Sequence, residues 1–301
     1  MERKAIRSLA MLCGVAVAAL ASAADDPLTR PIASPYAEKW LRPQASVRIY
    51  GDTYYVGFAG LSEVLIKTDA GLILIDGALP QSVAMTEAHI RELGFRVEDI
   101  KYILNTEAHF DHSGGLAALA RDSGATVVTS PLGVAALRAG HVSEDDPQAG
   151  EIEAFPPVTR LRAIGDGATL RLGGTTVTAH FTPGHTPGST SWSWSSCEAG
   201  RCLSMVFAAS LNPVAADGFR FTSNRHGDIT PAYRDGIRRF AALPCDILIS
   251  AHPDHSGFDQ KLAVPRADGA ANPFVDAQAC RAYADKYAKV LDARVSKEKA
   301  P

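Results

Sequence analysis

A cluster of ionisable side chains at the end of an apolar stretch constrains this chain more than any other feature. In Asn105-Thr106-Glu107-Ala108-His109-Phe110-Asp111-His112-Ser113-Gly114-Gly115, four residues able to ligate a cation fall within six positions: Glu107, His109, Asp111 and His112. They follow Tyr102-Ile103-Leu104, which reads as a short buried strand, so they emerge together where that strand ends. The Gly114-Gly115 pair suits a tight loop wrapped around an ion. Imidazole and carboxylate donors fit zinc, and iron and other divalent ions accept the same atoms. Two further histidines extend the pattern. His185 lies in Thr182-Pro183-Gly184-His185-Thr186-Pro187-Gly188, and His252 follows Ile247-Leu248-Ile249-Ser250. A lone histidine at a strand end is more often structural. Three such loops together offer Glu, His, Asp, His, His and His, the material for two three-residue metal sites.

The surrounding chain alternates strands and helices. Thr53–Phe58, Ser62–Thr68 and Leu72–Asp76 read as antiparallel strands split by Gly60 and Gly71, and Val83–Leu93 has helical spacing. A helix over Gly115–Arg121 leads to a strand over Thr126–Thr129, and Ser130-Pro131 starts another helix. The second half repeats the plan. Thr175–Phe181, Ser189–Trp194 and Ser204–Ala208 read as strands, and Thr230-Pro231 caps a helix with Tyr233, Ile237 and Phe240 on one face. A strand over Asp246–Ser250 precedes a final helix opened by Asp276 and carrying Cys280, Tyr283, Tyr287 and Leu291. The expected architecture is α/β, two facing mixed sheets with helices outside. Of the two tryptophans in Trp192-Ser193-Trp194, alternation along a strand sends one to the core.

The N-terminus reads as an export signal. Arg3, Lys4 and Arg7 precede an apolar run from Leu9 to Leu20 and the small-residue site Ala21-Ser22-Ala23. The run is shorter than the ~20 residues a membrane helix needs. Cleavage after Ala23 would release a single domain over 24–301 into a bacterial periplasm, with no membrane attachment. Four cysteines then remain: Cys197, Cys202, Cys245 and Cys280. An even count in an oxidising compartment implies two disulfides, with three pairings open. Cys197 and Cys202 flank a turn-like stretch and would close a hairpin; a Cys245–Cys280 pair would tie the last helix to the sheet. A formal charge of −3 argues against a dedicated nucleic-acid binder.

Read together, these residues resemble the metallo-β-lactamase superfamily, and its subclass B3 most closely. The superfamily motif H-x-H-x-D-H appears here as E-x-H-x-D-H, with the later Gly184-His185 and Ala251-His252. Tyr54-Tyr55-Val56-Gly57, Leu74-Ile75-Asp76-Gly77, Ser210-Leu211-Asn212 and the Cys245/Cys280 pair are the B3-like features. The resemblance implies an αββα sandwich with two zinc ions per chain, the first held by Glu107, His109 and His185, the second by Asp111, His112 and His252. It also implies a monomer that hydrolyses the amide of penicillins, cephalosporins or carbapenems through metal-held hydroxide, with Asp111 orienting the nucleophile. Ser210 and Asn212 would meet the substrate carboxylate. Related thioester hydrolases place a bridging aspartate where this chain has Ser210, which favours lactam hydrolysis. A lactonase or thioesterase is one alternative, and an oxidoreductase resembling persulfide dioxygenases, with one iron, is another. Two positions depart from the pattern. Glu107 replaces a histidine and would weaken the first site, and Phe219 stands where some relatives place a tyrosine that donates to the oxyanion. The remaining histidines are expected to be structural or superficial, with His226 and His255 the candidates to line the cleft and His89, His141 and His180 away from it.

Overall fold

The computed structural model describes residues 26–265 and 269–299; the segment 1–23, expected to be an export signal, lies outside them. Seven strands form the first sheet in chain order: β1 (Val47–Tyr50), β2 (Thr53–Tyr55), β3 (Val64–Thr68), β4 (Gly71–Ile75), β5 (Ile100–Leu104), β6 (Thr126–Thr129) and β7 (Leu161–Ala163). Pairing is antiparallel from β1 to β4 and parallel from β4 to β7. The second sheet contains β8 (Thr169–Leu172), β9 (Thr175–Phe181), β10 (Thr190–Glu198), β11 (Arg201–Ala208) and β12 (Ile247–Ser250). Its order is β12-β11-β10-β9-β8, antiparallel except for the parallel β11–β12 pair.

Alternating side chains make the layers. On β4, Leu72 and Leu74 enter the outer apolar cluster with Val83, Ile90, Leu116 and Leu119, while Ile73 and Ile75 enter the inner one. On β11, Met205 and Phe207 point inward, and Val206 and Ala208 meet Tyr233, Phe240, Tyr283 and Leu291. This period of two is the pleat itself. It puts one apolar cluster between the sheets and one under each helical layer, the αββα sandwich expected from the sequence. Helices α2 (Val83–Glu92), α4 (Leu116–Ser123) and α5 (Pro131–Ala139) belong to the first sheet's half of the chain. Helices α6 (Thr230–Ala241) and α9 (Ala279–Lys299) cover the second sheet. Both Trp192 and Trp194 are buried, because residues two apart on a strand share a face and the pleat that turns one inward turns the other with it. Trp192 Nε1 also donates to Asn105 O at 3.3 Å, pinning the second sheet to the loop after β5.

Several sequence readings need correction. Strands β1, β7 and β8 were not legible; β1 and β7 are sheet edges, and Arg48, Arg162 and Arg171 interrupt their apolar pattern. β10 and β11 run longer than expected because Cys197 pairs with Cys202 across the hairpin and is bonded to it. The second disulfide, Cys245–Cys280, joins the approach to β12 to α9. Ser130 caps α5 as predicted, accepting from Gly133 N–H at 3.1 Å. Thr230 does not cap α6. It is the first helical residue after Ile229, and its N–H and hydroxyl both bond Asp228 Oδ1. The last helix starts at Ala279 because Asp276 is spent on a turn, accepting from Gln278 N–H. The lead-in holds one short helix, α1 (Ala37–Trp40), and α3 (Phe110–Ser113), α7 (Pro253–Ser256) and α8 (Phe258–Leu262) complete the helices used below.

Candidate metal centre

Each predicted ligand sits just beyond a strand. Glu107 and His109 follow β5, and Asp111 and His112 lie in the single turn α3. His185 occupies the loop between β9 and β10, and His252 follows β12. Tight backbone contacts fix these loops. Gly184 has φ +147°, and a Cβ there would stand 2.3 Å from the Tyr233 ring. A Cβ on Gly115 would meet Gly77 O at 2.1 Å, so only glycine lets α4 start under the motif.

Four imidazoles converge, each with one ring nitrogen tethered. His109 Nε2 lies 3.2 Å from both oxygens of Asp146, and His112 Nδ1 lies 3.6 Å from Asp76 Oδ2. His185 Nδ1 is 2.9 Å from Asn212 O, and His252 Nδ1 is 3.1 Å from Gly60 O. Such tethers set the tautomer and aim the other nitrogen, which is how metal-bound histidines are ordinarily held. The untethered atoms crowd together. His112 Nε2 is 3.2 Å from His252 Nε2, 3.4 Å from Asp111 Oδ2 and 3.1 Å from Glu107 Oε1. Ligand atoms of Asp111, His112 and His252 all lie within 4.8 Å of one another. The rings pair edge to face, His109 with His185 at 4.9 Å and His112 with His252 at 4.8 Å between centroids.

Glu107 bridges the two groups. Its Oε2 accepts from Ser210 N–H at 2.8 Å, while Oε1 is buried without a hydrogen bond and faces His112 Nε2 and, at 3.7 Å, His185 Nε2. A buried carboxylate oxygen aimed at imidazole nitrogens, with no donor of its own, fits a cation. The electrostatics agree. Burial alone would raise the Glu107 carboxyl, but His112, His185 and His109 outweigh it and hold it at about 2. Burial likewise opposes charge on His112, yet Asp111, Glu107 and Asp76 push it up to about 10. Asp111 is held well below the carboxylate range, burial being outweighed chiefly by His112 and His252. The pocket thus calls for positive charge, which a divalent ion supplies in place of a proton.

The other predicted residues divide. Asn212 lines the cavity over the ligands, as does His255, whose pKa burial and His252 push down to about 3. Ser210 does not line it: the residue is buried beside Glu107, whose Oε2 accepts from its backbone N–H, and its own hydroxyl is buried without a hydrogen-bond partner. Phe219 packs edge-on against Phe221 and is not part of the cavity wall. His226 lies outside that cavity, 2.6 Å from Asp145 and lining a separate apolar one beside the His185 loop. His89 is buried with Nδ1 at 2.8 Å from Val56 O, a structural role as expected. Two supports were given no role by the sequence, although Asp76 stands in the B3-like Leu74-Ile75-Asp76-Gly77. Asp146 carries no motif. Asp76 had a signal, an acid directly after an apolar strand, and its carboxylate also accepts from Thr106 N–H at 2.8 Å and Thr106 Oγ1 at 2.6 Å.

The family model described as the Metallo-beta-lactamase superfamily matches residues 63–252. Among curated proteins, a hydroxyacylglutathione hydrolase of Anaeromyxobacter dehalogenans (strain 2CP-C) is 31% identical over 131 residues, 43% of this chain. The match spans only 40% of that relative's length. Solved structures match far more completely. A metallo-beta-lactamase characterised as the first of subclass B3 with an active-site glutamic acid is 50% identical, with TM-score 0.84 over 92% of this chain and 100% of its own. The Rm3 metallo-beta-lactamase is 45% identical, with TM-score 0.86 over 89% of this chain and 100% of its own. The subclass B3 metallo-beta-lactamase BJP-1 of Bradyrhizobium japonicum is 35% identical, with TM-score 0.79 over 87% and 97%.

Proposed function

Because the chain belongs to the metallo-beta-lactamase superfamily and resembles subclass B3 enzymes along almost its whole described length, we propose that it is a β-lactamase of the B3 type. It is a metal-dependent hydrolase that opens the β-lactam amide of small antibiotics. The observation that carries this reading is the set of four tethered imidazoles and two carboxylates, with Ser210 in place of a bridging carboxylate after β11.

We propose zinc as the metal and two ions per chain. Glu107, His109 and His185 hold the first, and Asp111, His112 and His252 the second. Bound metal supplies Lewis acidity for the carbonyl and activates water at neutral pH. The chain supplies the rest. Asp146 and the Asn212 carbonyl hold the first pair of imidazoles, and Asp76 and the Gly60 carbonyl hold the second. Ser210 supports Glu107 from behind, so its contribution is positional. Asp111, beside His112 and His252, holds the second site and orients the attacking water, and Asn212 faces the substrate from the cavity wall. Export to the periplasm belongs to this reading, supported by the basic, apolar and Ala21-Ser22-Ala23 segments and by two disulfides.

The test is hydrolysis of a carbapenem, a penicillin and a cephalosporin, repeated after chelation and after zinc is restored. Loss and recovery of activity is the expected result, with zinc counted at two per chain by mass spectrometry. The hydroxyacylglutathione hydrolase match favours a thioester as second substrate class. Turnover of a glutathione thioester, with all three β-lactams untouched, would replace the first reading.

A further inference from the structure

A penicillin carries a carboxylate on the ring fused to its β-lactam, and the cavity over the ligands is poorly furnished to receive one. Its volume is about 610 Å³, and Asp111, Glu151, Glu153 and Asp254 all stand on its wall. Lys39 is the only lysine or arginine among the described residues that line it. Of the two residues expected to meet the substrate carboxylate, Asn212 stands on the wall with an uncharged amide and Ser210 is not on it. The position of Lys39 is tied to the second triad. On α1 its neighbour Trp40 places its ring 5.7 Å from that of His252. Gly60 N–H donates to Trp40 O at 3.1 Å, while Gly60 O faces His252 Nδ1. One glycine therefore fixes both the helix that bears the cation and the imidazole beside it.

Lys39 Nζ rests 3.1 Å from Asp254 Oδ2, with the two side chains 62% and 40% exposed. An ion pair that open to water contributes little, so exchanging Asp254 for another carboxylate costs little. We infer that Lys39 receives the ring carboxylate of the substrate and that Asp254 is its partner only while the cavity is free. The inference rests on the β-lactamase reading and adds the residue that selects anionic substrates.

The test compares benzylpenicillin with its methyl ester, which lacks the negative charge, on the zinc-loaded protein. Lys39→Ala raises KM for the acid roughly tenfold, the size of one charge-assisted hydrogen bond partly screened by water, with kcat changed by less than about twofold. The ester is turned over equally by both proteins, and Lys39→Arg restores most of the loss. Asp254→Asn lowers KM for the acid by removing the competing carboxylate. An unmoved KM in Lys39→Ala, or equal losses for acid and ester, overturns the inference, the latter assigning Lys39 to the shape of α1. If native protein with zinc bound hydrolyses neither compound, the β-lactamase reading falls and this inference with it.

Discussion

The two halves of the proposed metal centre have the same composition and different supports. Each has one carboxylate and two imidazoles: Glu107 with His109 and His185, and Asp111 with His112 and His252. The second half takes one of its two supports straight from a sheet. Asp76 follows β4 directly, and Gly60 lies in the connection between β2 and β3. The first half depends on irregular chain. Asp146 lies between α5 and β7, and Asn212 between β11 and α6. Glu107 itself leans toward the second half, its Oε1 nearer His112 Nε2 (3.1 Å) than His185 Nε2 (3.7 Å). The difference teaches that ligand identity does not set the rigidity of a site; the elements behind the ligands do. The first half should bind its ion more weakly.

The largest effect follows from breaking the second half. Asp111→Ala removes a ligand and leaves His112 and His252 without the carboxylate between them, so hydrolysis should fall to background in a steady-state assay. Loss of a support in the other half should be smaller and local. Asp146→Ala frees His109 to rotate and should weaken one ion by about 10- to 100-fold while the other stays tight. A competitive zinc-chelator titration resolves the two steps. Equal weakening of both ions would erase the distinction between the halves.

How much of this was legible in the sequence follows the same division. The six proposed ligands could be singled out because they stand in loops that leave strand ends, a local pattern that needs no knowledge of the partner loop. The layers were readable from continuous apolar runs such as Leu72–Ile75, which mark a strand covered on both faces. Asp146 was not, because nothing in Glu144-Asp145-Asp146 separates the acid that turns inward from its neighbours; the fold alone buries Asp146 and leaves Asp145 to Arg225 and His226. Ser210 was placed correctly along the chain, but its contact with Glu107 was not foreseen. Its backbone N–H bonds Glu107, and its buried hydroxyl has no hydrogen-bond partner. Side-chain direction after a strand end depends on backbone angles that the sequence does not display.

Glu107→His sharpens the comparison at a smaller scale. The substitution removes one negative charge near the substrate, worth about 1 kcal/mol for a pair some 4 Å apart in water. Turnover of anionic β-lactams at low substrate should therefore rise by roughly fivefold. The imidazole also forfeits the bond from Ser210 N–H, so thermal stability should drop slightly. A fall in kcat/KM would mean that Glu107 earns its place by accepting that bond rather than by ligating.

The smallest effect tests the irregular chain behind the first half. Glu298 on α9 accepts from Phe221 N–H at 3.1 Å and Thr222 N–H at 2.9 Å, fastening the segment that also carries Asn212. Burial would raise its pKa, but Arg294, Thr222 and Phe221 together hold it below the ordinary value of 4.5. A carboxylate whose folded pKa is depressed stabilises the fold fully above its unfolded value. That stabilisation is lost as pH falls through the folded pKa. Glu298→Gln should therefore cost about 1 kcal/mol at neutral pH, a few degrees in Tm, and make the decline of stability below pH 4.5 shallower. Because the segment it fastens holds His185 through Asn212 O, the same variant should loosen the first ion by a fewfold and leave the second unchanged. If Tm falls while both zinc affinities hold, the segment supports the fold but not the site, and the weakness of the first half must then come from Asp146 alone.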